Sequence, residues 1–317
     1  MRDRIVFFGR DKHYGITLAC YEELLRGLKS TEHELVLTVV TDDGSGEDGT
    51  LSGLAAASGL AWTKVPGNDV NGAGFLADLK RLAPSVCITV QFPMIYSPDL
   101  IGVPSRACLN VHRGWPLRGG SIDERAIFCR LDTYNVVLHH IDPGVDTGRI
   151  IDRVPVPVEP LEDGYSLVKK ADEAGRRLFA DSFLPLLGRA VPRGHEQKLD
   201  ETSYGGKGSL SDRIDLAEPS AVTERRCRAF HHPRKHGAFL EMGGGRVYIV
   251  PPVDVVCAPA KKPSGTVLGF HDGIVLVKTA DGAIGIRRCH LGDGRGIDFM
   301  SFIAKQNLQI GDNVRHY

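Results

Sequence analysis

Apolar positions follow two different rhythms along this chain. In the first 187 residues, short continuous apolar runs alternate with longer stretches whose apolar positions recur at helical spacing. Residues 5–9, 34–40, 61–65 and 86–90 read as strands. Residues 16–28, with Leu18, Tyr21, Leu24, Leu25 and Leu28 on one face, read as a helix, as do 51–58 and 75–82. Strands that are apolar throughout, instead of alternating, are buried on both faces, which predicts a mostly parallel sheet covered by helices on either side. The fold class expected is α/β, an open Rossmann-like sheet. Ligands of such sheets bind beyond the carboxyl ends of the strands, so the segments after Val90 and Val111 are where chemistry is expected.

Two further strands, 135–141 and 149–156, flank the Gly- and Asp-rich turn 142–148, and 165–187 reads as a long amphipathic helix. Residues 190–211 are polar and Gly-containing, the composition of a linker. Beyond them, a helix at 221–230 precedes short runs at 238–241, 247–250, 266–270, 274–278 and 283–287, each broken by Gly, Pro or Asp. That spacing predicts a small OB-like β-barrel, with Asp272-Gly273 and Asp281-Gly282 suited to hairpin turns, and 299–304 as a last helical turn or two. The expected organisation is an α/β domain at 1–189, a linker at 190–211 and the barrel at 212–317.

Composition narrows the classes of function. With 42% hydrophobic and 25% charged residues, the chain is of globular type, and 39 basic residues balance 39 acidic ones, so no global field draws it to nucleic acid or a membrane. Residues 206–317 hold 16 of the basic and 11 of the acidic side chains, a mildly basic end. No apolar run approaches a membrane span and no leader-like stretch opens the chain, which suits a soluble cytoplasmic protein. Seven cysteines without CxxC spacing suit buried thiols in a reducing compartment. Cys227, His231, His232 and His236 match no structural zinc spacing, so no metal is expected. Gly9 and Gly15 lack the G-x-G-x-x-G spacing, which demotes a dinucleotide site to a turn glycine. Arg225, Arg226, Arg228, Arg234 and Lys235 form the densest basic cluster, either solvated surface or a contact for phosphate groups.

The most informative stretch is the strand end Asn110-Val111-His112. Alternate residues of a strand share a face, so an amide and an imidazole lie side by side at a carboxyl edge of the sheet. An Asp in the loop 142–148 can turn inward to meet the histidine. Such a set suits acyl transfer, with amide and imidazolium donating to a developing oxyanion while the carboxylate orients the ring and takes a proton.

Asn110-Val-His112 followed by Asp142-Pro-Gly-Val-Asp146-Thr-Gly resembles the 10-formyltetrahydrofolate-dependent formyltransferases, which include methionyl-tRNA, glycinamide ribonucleotide and amino-sugar N-formyltransferases. The resemblance continues through Arg228-Ala-Phe230, Gly237-Ala-Phe239, Gly265-Thr-Val-Leu268 and Asp298-Phe299, nearly the whole chain. It implies Asn110, His112 and Asp146 as the catalytic trio and N10-formyltetrahydrofolate as co-substrate, its ring lying against Phe92, Met94, Ile95 and Tyr96 on one side and His140, Ile141 and Asp142 on the other. It also implies substrate contacts from Arg118 and Ser121, and leaves a homodimer as one option.

Two departures bear on the acceptor. Family members commonly read H-x-S-L-L-P-x-Y-R-G, whereas His112-Arg-Gly-Trp-Pro-Leu-Arg118-Gly is two residues shorter before the Arg-Gly. Where the methionyl-tRNA enzyme has a basic, Gly-rich insertion, residues 41–49 here read Thr-Asp-Asp-Gly-Ser-Gly-Glu-Asp-Gly, and an acidic loop repels an acceptor stem. The expected substrate is therefore a small-molecule amine, an amino-sugar nucleotide first and an amino-acid or specialised-metabolite amine next. Formylation of methionyl-tRNA, release of formate from the folate, and folate binding without catalysis are the alternatives.

Overall fold

The computed structural model describes residues 2–11, 15–41, 50–65, 69–206, 208–232, 235–258 and 261–316. The acidic loop 42–49, the turn residues 12–14 and Arg234 of the basic cluster lie outside the described residues. The chain divides into two compact units: one holds 1–122, 133–157 and 169–205, the other 123–132, 158–168 and 206–317. Residues 190–205, linker-like in composition, thus go with the first unit, where Ile150 and His195 form a β-bridge.

In chain order the first part contains β1 (Arg4–Arg10), α1 (Gly15–Leu28), β2 (Glu34–Thr41), α2 (Leu51–Ala57), β3 (Trp62–Lys64), α3 (Ala73–Leu82), β4 (Val86–Val90) and α4 (Pro98–Ile101). Next come β5 (Ala107–Trp115), β6 (Leu117–Gly119), α5 (Ile122–Phe128), β7 (Thr133–His140), β8 (Ile150–Pro157), α6 (Gly164–Leu178) and β9 (Ser203–Gly205). The seven-stranded sheet has the order β3-β2-β1-β4-β5-β7-β8. Pairing is parallel from β3 to β5, and β7 and β8 then join antiparallel. This is the open, mostly parallel α/β sheet that the apolar runs imply. In β1, Phe7 meets Tyr21 at 5.0 Å and Phe179 at 6.5 Å, while its neighbour Phe8 meets Phe92 at 5.4 Å and Tyr96 at 5.3 Å. Successive residues feed two separate packing layers, each ring contributing about 2 kcal/mol of burial.

The helix read over 165–187 is shorter than its apolar pattern. α6 ends at Leu178 and continues as a wide turn, Phe179–Phe183, and a tight one, Leu184–Leu186, where Pro185 has no N–H to carry the ladder further.

The second unit holds α7 (Ser220–Phe230), then β10 (Phe239–Met242), β11 (Gly245–Val250), β12 (Asp254–Val256), β13 (Val267–His271), β14 (Ile274–Lys278), β15 (Ala283–Ile286), β16 (Arg288–His290), β17 (Ile297–Asp298) and α8 (Phe299–Lys305). They form two four-stranded antiparallel sheets, β10-β11-β16-β17 and β12-β15-β14-β13, the first curled into a half-barrel. The β13–β14 hairpin turns on Asp272 and Gly273, at φ +48° and +74°, the left-handed pair a two-residue turn requires. Among the described residues no helix is long and apolar enough to cross a membrane.

Candidate active site

The site lies where the sheet changes from parallel to antiparallel. β5 outruns β4: Val111 pairs with Val90, the last residue of β4, so His112 is the first residue of β5 past that end. On its other side β5 pairs with β7, which sets Asn110 directly opposite His139 and His112 opposite Val137. Asn110, His112 and His139 therefore share one face. Asn110 Nδ2 lies 3.1 Å from His139 Nε2, and the His112 and His139 rings stand 6.3 Å apart at 82°.

The turn between β7 and β8 brings Asp146 back over this face, with φ +53°, a left-handed conformation rare outside glycine. Its Oδ1 sits 3.4 Å from His112 Nδ1, 3.5 Å from Asn110 Nδ2 and 3.9 Å from His139 Nε2. Its Oδ2 accepts the Gly119 backbone N–H at 3.0 Å. Gln197 fixes the strained backbone, its Nε2 donating to the carbonyls of Asp146 at 3.0 Å and Gly148 at 2.6 Å. Gly148 is required for space: a Cβ there would stand 1.7 Å from the His140 carbonyl oxygen.

Hydrogen bonding sets the protonation of His139. Its Nδ1 donates to the His140 carbonyl at 2.7 Å, which leaves Nε2 to accept from Asn110. Burial pulls its pKa down to about 4, aided by His112 and opposed by Asp146, so the ring is neutral at neutral pH. For Asp146, burial works against the charge, but His112, His139, the Gly119 N–H and Arg118 outweigh it and hold the carboxyl below its usual range. His112 Nε2 faces the Leu117 carbonyl at 3.0 Å, so both of its ring nitrogens face oxygen acceptors. Asn110 commits one amide hydrogen firmly to His139, and the longer contact to Asp146 leaves the other for a better acceptor.

The structure brings Asn110, His112 and Asp146 together as a trio. Arg118 stands beside them, donating to the Val145 carbonyl at 3.2 Å and Thr202 Oγ1 at 2.9 Å. Ser121 is half-buried at φ +52° and forms no hydrogen bond to the trio. Asp142 builds the turn, its Oδ1 accepting from Thr147 Oγ1 at 2.6 Å and the Gly144 N–H at 3.2 Å. His140 Nε2 meets the Pro192 carbonyl at 2.8 Å.

Of the apolar loop after β4, Phe92 and Tyr96 are core residues that support the loop from beneath, and the Tyr96 hydroxyl is tied to Thr89 at 2.9 Å. Met94 and Ile141 are half-buried against the same cluster, and Ile95 is 63% exposed. Asn71 pins this loop by donating to the Ile95 carbonyl at 2.9 Å and accepting from the Ser97 N–H at 2.8 Å. Met94, Ile95 and Ile141 are thus the apolar side chains left for a flat ring to cover.

His139 and Gln197 are absent from the sequence expectation. The strand read at 135–141 carries His139, but only the antiparallel pairing of β7 with β5 sets it opposite Asn110. Gln197 had no signal, because it sits in a polar stretch with the composition of a linker. Among the described residues no group of His, Cys, Asp or Glu is placed to hold a metal; His231 bonds Asp163 at 2.8 Å and His232 lies 3.7 Å from Asp123.

Residues 211–307 match the formyl transferase C-terminal domain. A methionyl-tRNA formyltransferase of Chromobacterium violaceum is 27% identical over 308 residues, 92% of this chain and 94% of that one. The N-formyltransferase from Helicobacter canadensis, solved in complex with folinic acid and dTDP-3-aminofucose, superposes with a TM-score of 0.66 at 16% identity, covering 92% of this chain and 100% of that one. HypX from Aquifex aeolicus in complex with tetrahydrofolic acid gives 0.59 at 17% identity over 96% of this chain and 47% of its own. The match of residues 211–307 to that C-terminal domain, sequence similarity running nearly end to end and a common fold agree: the chain is similar to formyltransferases over nearly its whole length.

Proposed function

We propose that this enzyme moves the formyl group of N10-formyltetrahydrofolate onto the primary amine of a small molecule, an amino-sugar nucleotide before an amino-acid or specialised-metabolite amine. The observation that carries the reading is that Asn110 Nδ2 and His112 Nδ1 both lie within 3.5 Å of one Asp146 carboxylate oxygen, at the carboxyl edge of β4. The folate supplies an activated acyl carbon. Asn110 Nδ2 donates to the formyl oxygen as negative charge grows on it, and His112 Nε2 joins it by exchanging the Leu117 carbonyl for that oxygen, an effect worth about 10²–10³ in rate per donor. Asp146 holds the His112 ring and takes the proton released by the attacking nitrogen, directly or through water. The nitrogen–carbon bond forms first, giving a tetrahedral intermediate; the carbon–N10 bond then breaks, and the proton taken by Asp146 passes to N10 as it leaves. His139 stays neutral and fixes the Asn110 amide. Met94, Ile95 and Ile141 cover the folate ring, and Arg118 and Ser121 lie on the acceptor side.

Methionyl-tRNA is the second acceptor reading, favoured by the near full-length similarity to the Chromobacterium enzyme. The acidic sequence of residues 41–49 favours the small amine. The test is formyl transfer followed by mass spectrometry against amino-sugar nucleotides, amino acids and charged initiator tRNA, with wild type beside His112→Ala. A gain of one formyl group on a single small amine, lost in the variant, supports the reading. Formylation of the tRNA alone moves the second reading to first, and formate release without any formylated amine overturns both.

A further inference from the structure

We propose that the second unit carries a separate binding site for a phosphoryl-bearing small molecule, in the cleft between the turn after α5, residues 158–160 and α7, with Arg130 and Arg225 as its anion-binding groups. The cleft measures about 390 Å³, within the size range of small-ligand sites, and has an apolar side of Ile127, Leu131, Val158 and Pro160.

The argument rests on which charges are already answered. Arg228 lines the cleft but is held by both oxygens of Glu224, one at 3.1 Å, and donates to the Glu162 carbonyl at 2.6 Å. Arg225 makes one long bond, 3.4 Å to the Phe128 carbonyl, and Arg130 makes none; among the described residues neither forms an ion pair. Asp132 and Glu159 also line the cleft and have partners of their own. Burial, then the like charges of Arg130 and Arg228, lower the Arg225 pKa, the mark of crowded, incompletely compensated cations. Among the described members of the basic cluster in this stretch of sequence, Arg226 is clamped by Glu218 at 2.8 Å, Lys235 is paired with Glu124 and Arg228 is held by Glu224, which leaves Arg225 without an ion pair.

A second observation comes from the backbone. After α5, the Leu131 N–H bonds the Ala126 carbonyl at 3.0 Å and the Arg130 N–H bonds that of Ile127 at 3.1 Å, a helix stop that puts Arg130 in the left-handed position at φ +57°. Glycine is the usual occupant there. An arginine accepts the strain and sets a guanidinium at the mouth of the cleft. Two uncompensated guanidinium groups match the two negative charges of a phosphate, each able to donate a pair of parallel hydrogen bonds.

This site shares no residue with the transfer chemistry and is tested directly. Titration calorimetry of the full-length protein with inorganic pyrophosphate and with uridine diphosphate should show saturable binding by wild type and by Asp146→Asn. The same titrations of Arg225→Gln and Arg130→Gln should show affinity weakened about tenfold or more in each. Arg130 is exposed, so its variant folds and keeps the test valid if Arg225→Gln does not. No binding at millimolar pyrophosphate, equal affinity in both arginine variants, or loss in Asp146→Asn alone overturns the proposal. Binding of a short RNA oligonucleotide without pyrophosphate binding overturns it in favour of a nucleic-acid surface.

Discussion

The turn around Asp146 and the cleft around Arg225 handle charge in opposite ways. At Asp146 one carboxylate meets two histidines, an amide and a backbone N–H, and the turn carrying it is tied down by Gln197. At the cleft one arginine is fully answered by Glu224 while two others face a cavity with little to bond. A saturated network fixes geometry, which proton transfer and oxyanion stabilisation need. Unspent cations fix little, but they leave binding energy for a ligand.

The sharpest way to break this contrast is to remove the charge that organises the first region. Asp146→Asn keeps the shape of the side chain but can neither hold the His112 ring with a charge nor take a proton. Formyl transfer by this variant should fall about 10³-fold or more in kcat/KM, read by single-substrate kinetics. A loss below tenfold would show that the carboxylate is structural only.

Geometry is the next largest lever. In Gly148→Ala the added carbon must push on the His140 carbonyl, which is backbone and also holds His139. The expected cost is about 2–4 kcal/mol in urea unfolding, together with loss of most activity, because the turn carrying Asp146 moves as a whole.

His139 gives a smaller, pH-dependent effect. Its folded pKa, about 4, lies below the ordinary value of 6.5. Above 6.5 both folded and unfolded states are neutral and the term vanishes. As pH falls toward 4 the unfolded chain takes up a proton that the folded one refuses, so stability is lost on acidification. The loss should come to about 2 kcal/mol between pH 7 and 5. His139→Gln should flatten that slope whatever it does to stability at pH 7. An unchanged slope in the variant would mean that the ring titrates alike in the folded and unfolded chain.

The two regions also differ in how legible they were. β1, β2 and β4 read well because their apolar runs are continuous and need no partner to be recognised. Asn110 and His112 followed from the alternation of one strand; the Gly-rich turn promised only an inward Asp, and the family resemblance is what singled out Asp146. His139 required knowing which strand pairs with β5 and in what direction, information that no local pattern holds. α5 was missed because Asp123, Glu124 and Arg125 are buried inside it, at 3%, 2% and 7% exposure, and break the apolar period that marks a helix. β12, β16 and β17, of two or three residues each, owe their existence to neighbouring strands. The basic cluster was visible as composition, yet which of its members remain uncompensated depends on Glu218, Glu224 and Glu124, fixed only by the fold.

The smallest expected effect separates stability from binding at Arg130. Replacing a left-handed arginine by glycine relieves roughly 1–2 kcal/mol of backbone strain and costs about 0.5–1 kcal/mol in extra freedom of the unfolded chain. Arg130→Gly should therefore be more stable than wild type by about 0.5 kcal/mol in urea unfolding at pH 7, even though it removes a charged side chain. A gain in stability, joined to weakened pyrophosphate binding, would mean that the turn carries an arginine at the expense of the fold. A loss in stability would place Arg130 in contacts that hold the second unit together, and the contrast between a saturated and an unsaturated region would have to be redrawn around it.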